Sequence, residues 1–435
     1  MRAARTALVF ALLLLVAAGI FGQKKTVTFM CIEADLPKNF VDKFNADNPD
    51  INLVRTEEDW TKWTADAMAG SASDLIRMGI GSDTAYYSKR GLLYDMTSML
   101  KSSKVVKFDD IDKAANSSYE YDGKDFGKGA WYGLVKDFNN IGALTYNKEM
   151  FKAAGIAPLS ETKPITYYND LFNLAKKLTV KDSAGKVTVW GYDVDSTWVQ
   201  FLVTDMATAS NLSFYGDAKR SVLNNDPKMR ELWKYFPQFP VADISSNIRN
   251  PNSGWEGSAF QSDRIAIAQL GYWFGAQLQA NKGYNEKYGW APTPIMKAGS
   301  PRVTNNLGGA TGIVMYAKTK VPKEAFRVFE WYMGGAYGIE RARTGWGIPP
   351  LVSLRKLLPE DNAYNKSRKL IAFDDAKYFK DYQANPYTNW QPFQTAYSKH
   401  IDDLVKGTIN ADAFVDAFYA DVNDALKTGR EELGE

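Results

Sequence analysis

The sequence predicts an α/β fold, with mixed sheets flanked by helices. Three observations carry this. The stretch from Val27 to Ile32 is a nearly continuous apolar run, as in a strand covered on both faces. Helical spacing (Phe40, Val41 and Phe44; Trp60 to Met68) then alternates with strand runs (Ile51 and Leu53; Leu75-Ile76-Arg77-Met78). Such a β-α-β-α-β rhythm builds a parallel sheet with helices on both faces. Finally, 45% apolar and 24% charged residues over 435 positions describe an ordinary folded chain, long enough for two or three domains.

The elements follow in order. Asn48-Pro49 stops the first helix, because the residue before proline leaves the helical region. Gly133-Leu134-Val135 and Ala143-Leu144-Thr145-Tyr146 read as further strands. Helices are predicted from Lys148 to Ala154, Tyr168 to Leu178, Trp198 to Ala209 and Pro227 to Phe236. Ile313 to Tyr316 is a short strand, and Pro322 to Met333 a helix with proline in its first turn. The last helix starts at the N-cap Asn410, carries Phe414, Phe418, Val422 and Leu426, and is expected to stop at Gly429. No short-period repeat or low-complexity linker interrupts the chain. One rigid module and two closely apposed lobes both fit this pattern.

Residues 1–22 have the layout of a secretory signal. Arg2 and Arg5 precede an apolar run from Leu8 to Ala18, too short to span a bilayer, and cleavage is expected after Gly22. Cys31 lies inside the first strand rather than directly after the apolar run, so it reads as a core residue and not as a lipid attachment site. The mature chain is then free and exported, to the periplasm.

Composition excludes much chemistry. Cys31 and His400 are the only cysteine and histidine, so intramolecular disulfides and multi-His or Cys-rich zinc sites are impossible. His400 reads as a solvated helix residue. A formal charge of +3 gives no warrant for nucleic acid or a membrane surface. Gly79-Ile80-Gly81-Ser82 lacks the lysine of a phosphate loop, and Asp109-Asp110-Ile111-Asp112 lacks calcium-loop spacing. No cofactor, metal or catalytic set is expected. Aromatics, by contrast, reach 14%, with 12 Trp, 24 Tyr and 23 Phe, an excess that implies surface rings with a task.

Several segments resemble extracellular solute-binding proteins of ABC importers, in the sugar-binding, maltose-binding-protein-like branch. They are Phe40-Val41-Asp42-Lys43-Phe44 with Asn48-Pro49-Asp50-Ile51; Ser73-Asp74-Leu75-Ile76; Gly91-Leu92-Leu93-Tyr94-Asp95-Met96; and Tyr146 to Ile156. Further along come Arg264 to Ala268 with Gly271-Tyr272-Trp273, Gly289 to Pro294, and Gly308-Gly309 with Lys323-Glu324-Ala325-Phe326. Two positions depart from the family's wording: Val135, where proline is frequent, and Arg264, where lysine is usual. The resemblance implies a two-lobe periplasmic-binding-protein fold (type II) with a three-segment hinge. The N-terminal lobe would take residues 23–138 plus 309–345 and the C-terminal lobe 142–305 plus 350–435. Crossings would fall near 138–142, 305–309 and 345–350. It further implies a monomer that captures a carbohydrate and hands it to membrane permease subunits without changing it.

A sugar offers a C–H face, which matches an aromatic ring, and a rim of hydroxyls, which need buried partners. Clusters of aromatic, acidic and small residues supply both. Trp273 is the first candidate, at the position the resemblance assigns to ligand stacking; the competing reading is a core tryptophan. Asp83 follows the third strand, where loops at strand carboxyl ends carry ligands, although a helix-start aspartate reads the same. Trp60, Asp137, Trp346, Trp390 and Trp255 complete the set, with Gly309 at the second crossing. Helix packing competes for Trp60 and a hinge salt bridge for Asp137. Glu33 and Trp198 are weaker candidates. The rival function is a secreted glycoside hydrolase or lyase, which needs a carboxylate pair; the eight strand-helix units of a barrel are not found. A third possibility keeps the receptor fold with a non-sugar ligand.

Overall fold

The computed structural model describes residues 24–252, 254–305, 311–380 and 382–435. The predicted signal segment and Gly309 lie outside the described residues. The apolar run near the start forms β1 (Lys25–Met30). It is followed by α1 (Lys38–Asp47), β2 (Ile51–Thr56), α2 (Trp60–Ala69), β3 (Leu75–Met78) and α3 (Asp83–Lys89). Asp59 caps α2 by accepting from Lys62 N–H, and left-handed Gly70 ends it. β1 lies parallel to both β2 and β3, as the sequence rhythm requires.

The chain continues through β4 (Gly133–Val135), β5 (Leu144–Asn147), α4 (Ser196–Ala209), β6 (Ile267–Ala268), β7 (Tyr288–Ala291) and β8 (Gly312–Met315). Then come α5 (Pro322–Met333), α6 (Ala336–Thr344), α7 (Ala363–Asp375), α8 (Gln391–Lys406) and α9 (Ala411–Glu432). Among the described residues the largest sheet is five-stranded, in the order β2-β1-β3-β8-β4. β8 runs antiparallel to its neighbours, so the sheet is mixed. A second, antiparallel sheet is ordered β6-β5-β7. Each sheet has its own core. Phe29, Leu53, Phe329 and Tyr332 pack on the first, and Leu144, Trp233, Phe414 and Phe418 on the second.

The chain therefore passes from the first sheet to the second between Val135 and Leu144, and returns between Ala291 and Gly312. Two crossing segments are stitched together: Phe138 N–H donates to Ile348 O (3.0 Å), and Ile348 N–H to Phe138 O (3.3 Å). Thr304-Asn305 pairs in parallel with Phe379-Lys380.

Three expectations change in detail. The helix expected from Tyr168 begins as a wider π turn, Tyr167–Leu171, before an α segment from Phe172 to Leu178. The helix expected to reach Phe236 ends at Trp233. α9 does not stop at Gly429 but runs on to Glu432. Gly429 serves close packing instead, since a Cβ there would lie 1.8 Å from the carbonyl oxygen of Tyr387. Cys31 is fully buried just past β1, and His400 is only half-buried, with Nε2 2.9 Å from Asp421 Oδ2. Among the described residues no helix is long and apolar enough to cross a membrane.

Candidate functional site

The loops leaving β1, β2 and β4 at their carboxyl ends, with Arg77 of β3, bring charged groups to one place. Asp35 sits at its centre, 1% exposed. Lys136 Nζ lies 3.1 Å from Asp35 Oδ1 and 2.5 Å from Asp137 Oδ2. Arg77 Nε forms an ion pair with Asp35 Oδ2 at 2.5 Å, at an angle that makes no hydrogen bond, while its Nη1 reaches both oxygens of Glu58 at 2.8 Å. Arg341 from α6 donates to Lys136 O and approaches Asp137 Oδ2 at 3.5 Å. Three acids thus face three bases. Burial alone would raise the Asp35 carboxyl, but Lys136, Arg77 and Arg341 overcome it and hold it at about 2. Burial dominates at Glu58 and pushes it up despite Arg77.

A chain of indoles is anchored to this network. Trp346 Nε1 donates to Asp35 Oδ1 (2.9 Å), and Trp60 Nε1 to Arg77 O (3.1 Å). Trp273 N–H donates to Asn139 Oδ1 (2.8 Å). The Trp273 ring is 6.1 Å from that of Trp346, and it stacks on Trp255 at 5.7 Å and 20°. Two glycines make room: a Cβ on Gly79 would lie 2.7 Å from the Trp60 ring, and one on Gly257 2.2 Å from the Trp255 ring. Trp60, Trp255, Trp273 and Trp346 all remain partly exposed, the condition for a stacking face that a guest can reach.

Trp390 behaves differently. It is 9% exposed and meets Trp60 edge-on at 5.6 Å. Its N–H donates to Asp83 Oδ1 at 3.2 Å. Around them Ile80, Tyr121, Phe126, Phe201 and Tyr382 form an apolar seam, with Trp198 packed at its edge. Asp83, at the start of α3, is 2% exposed, and burial pushes its carboxyl well above the usual range, only partly offset by the Trp390 N–H. The seam continues outward through polar ties. Arg90 donates to Pro386 O (2.8 Å) and Glu432 (2.9 Å), and Lys89 pairs with Glu435 at 3.0 Å.

The eight expected site residues therefore separate. The rings of Trp255, Trp273 and Trp346 form one arc, while Trp60 is tied to the charged network through Arg77 O and meets Trp390. Asp137 was expected to accept sugar hydroxyls; instead one oxygen pairs with Lys136 and the other accepts from Asn139 Nδ2, the hinge salt bridge that competed with the ligand role. Asp83 was expected as a hydroxyl acceptor and is closed off against Trp390 in this conformation. Trp390 is a buried seam residue rather than an open stacking plate. Glu33, at a surface pair with Arg55, lies outside the arc. Asp35, Arg77 and Arg341 were missed. Their signal was faint: an acid two residues beyond Glu33, and an arginine in an apolar strand that only a buried partner explains. No group of three or more His, Cys, Asp or Glu among the described residues is arranged to hold a metal ion.

Known structures share this architecture. A substrate-binding protein of an ABC transporter from Listeria monocytogenes, in complex with cycloalternan, superposes with a TM-score of 0.72 at 19% identity, covering 95% of this chain and 100% of its own. A solute-binding protein from Thermotoga lettingae, bound with α-D-tagatose, gives 0.74 at 18% identity, covering 93% and 100%. The maltose/maltodextrin-binding domain of Bdellovibrio bacteriovorus bound to maltotriose gives 0.69 at 18%, covering 94% and 100%. No curated protein matches significantly. The sequence profile of the bacterial extracellular solute-binding proteins matches residues 39–369. Two mixed-layer lobes, paired crossing segments and a profile match over most of its length make this chain a member of the bacterial extracellular solute-binding protein family.

Proposed function

We propose that the chain is the capture subunit of an ABC importer, which encloses a sugar or oligosaccharide between two lobes and delivers it unaltered to membrane permease subunits. The lobes are residues 23–138 plus 309–345 and residues 142–305 plus 350–435. The protein works as an exported monomer. The observation that supports this best is the run of partly exposed neighbouring rings Trp255, Trp273 and Trp346, with Trp60 tied to the same network; the indole N–H groups of Trp346 and Trp60 are held by Asp35 and by Arg77 O. Rings fixed in this way offer apolar faces without first losing side-chain freedom on binding. The structural neighbours bound to cycloalternan, tagatose and maltotriose agree with this choice of guest. Closure follows only if the guest binds the closed form more tightly than the open one.

A panel of mono- and oligosaccharides, followed by intrinsic tryptophan fluorescence and thermal unfolding, tests the proposal. A binder raises the melting temperature by mass action. Trp273→Ala should weaken that binder by about 1–3 kcal/mol while the free protein melts close to wild type. A panel with no shift in either signal, or conversion of any sugar to product, overturns the proposal.

A further inference from the structure

The apolar seam sets Tyr121 and Phe126 of the first side against Tyr382, Ala384 and Trp390 of the second. Two arginines at its rim cross it in opposite directions. Arg90, at the end of α3, lies 3.8 Å from the centre of the Tyr86 ring and donates to Tyr86 O (3.2 Å) on its own side. The same guanidinium reaches across to Pro386 O (2.8 Å) and to Glu432 Oε2 (2.9 Å). Arg220 does the reverse from the second side. It donates to Ala384 O (2.7 Å) at home, and across the seam to Lys124 O (2.8 Å) and Asp125 Oδ1 (2.6 Å). Lys124 and Asp125 lie in the turn that joins Glu120–Tyr121 to Ala130–Trp131. Both arginines converge on residues 384–386, where Asn385 Nδ2 also donates to Arg220 O (2.8 Å).

These ties differ from ordinary surface pairs. The Arg90 and Arg220 side chains are 8% and 18% exposed, against 37% for each partner of the nearby Lys89–Glu435 pair, so water weakens them less. Each guanidinium joins a carboxylate and a main-chain carbonyl of the other side at once, which a lysine does with less geometric definition. The Arg220 backbone has a φ of 63°, in the left-handed region where glycine sits most easily. Glycine would make this turn at lower cost but would leave three acceptors without their donor, so the side chain accounts for an arginine here. None of these bonds involves Trp255, Trp273 or Trp346. They hold the two sides together independently of the indole rings.

We propose that Arg90 and Arg220 form a salt-sensitive double latch that holds the proposed lobes shut and so slows the release of a guest. This rests on the receptor reading and adds a control on release to it. The apolar seam supplies an attraction that dissolved ions do not screen, and the latch one that they do. Bonds on the home side keep each guanidinium aimed when the lobes part, so relatching costs little side-chain freedom. The latch strengthens the closed form alone, so its loss falls on the dissociation rate more than on the association rate.

The test uses the whole chain and two paired variants. Arg90→Gln with Arg220→Gln removes both guanidinium groups. Glu432→Gln with Asp125→Asn keeps the arginines and their home bonds and removes only the charges across the seam, which covers the case in which the first pair impairs folding. Small-angle X-ray scattering reads the radius of gyration of the sugar-free protein at about 0.02 and about 0.5 M NaCl. Stopped-flow tryptophan fluorescence reads the release of maltotriose, mannotriose or tagatose. The wild type should expand and release sugar faster as salt rises. Each paired variant should already be expanded at low salt, should release sugar about tenfold faster or more, and should lose most of the salt response. An unchanged radius in both paired variants overturns the latch, and so does an unchanged release rate; in either case a sugar that still binds leaves the receptor reading intact. Expansion with salt and with the variants, while none of the sugars binds, supports the latch and removes the sugar reading.

Discussion

Replacing Asp35 with asparagine changes the charge at the centre of the buried ionic network while keeping its shape. In the native network Asp35, Glu58 and Asp137 face Lys136, Arg77 and Arg341. The substitution leaves an uncompensated buried positive charge and weakens the acceptor of the Trp346 indole. Two routes give the size of the effect. The carboxyl is held at about 2 against an ordinary value near 3.9, which corresponds to roughly 2–3 kcal/mol of stability at neutral pH. Breaking a buried pair by removing one partner typically costs about 3–5 kcal/mol. The expected loss is therefore about 2–5 kcal/mol. Denaturant unfolding at pH 7, with the midpoint and slope fitted separately, measures it. The sign with pH is also fixed. A lowered carboxyl stabilises above its unfolded value and loses that contribution as pH falls from about 4 to about 2, so the gap between wild type and Asp35→Asn should narrow over that interval. A variant within about 0.5 kcal/mol of wild type at pH 7, or a gap that widens in acid, would refute the network as a source of stability.

Two further perturbations probe the seam. Asp83 is buried against Trp390 N–H from the other side of the crossings, and this burial raises its carboxyl; if the proposed lobes close there on a guest, binding takes up a proton, so sugar affinity should fall as pH rises from about 4, and Asp83→Asn should flatten that slope, which a calorimetric pH series reads directly. Gly429→Ala should destabilise by about 1–3 kcal/mol by crowding the Tyr387 carbonyl, outweighing a helix-propensity gain of about 1 kcal/mol; a variant that melts higher than wild type would remove the packing explanation.

The sequence by itself determined the element rhythm, because burial on both faces of a parallel sheet writes apolar runs into β1 and β3, while α1, α2 and α9 each need an apolar stripe. It also pointed to the glycine-flanked tryptophans of the proposed site, Trp346 after Gly345 and Trp255 after Gly254, both glycines having positive φ between elements. It misread Gly429 because a glycine that ends a helix and one that admits a neighbouring carbonyl are the same letter. Only the tertiary structure decided which partners those residues meet. Asp137 and Lys136 are adjacent in sequence, but whether an acid faces a sugar or a lysine depends on Asp35, Arg77 and Arg341, brought from a loop, a strand and a helix distant in sequence. Asp83 and Trp390 are separated by 307 positions, and only the folded chain brings the Trp390 main-chain N–H to the carboxyl. Hydrophobic periodicity is a local property and is legible in the chain. Electrostatic pairing depends on distances between remote segments, and those distances do not exist until the chain has folded.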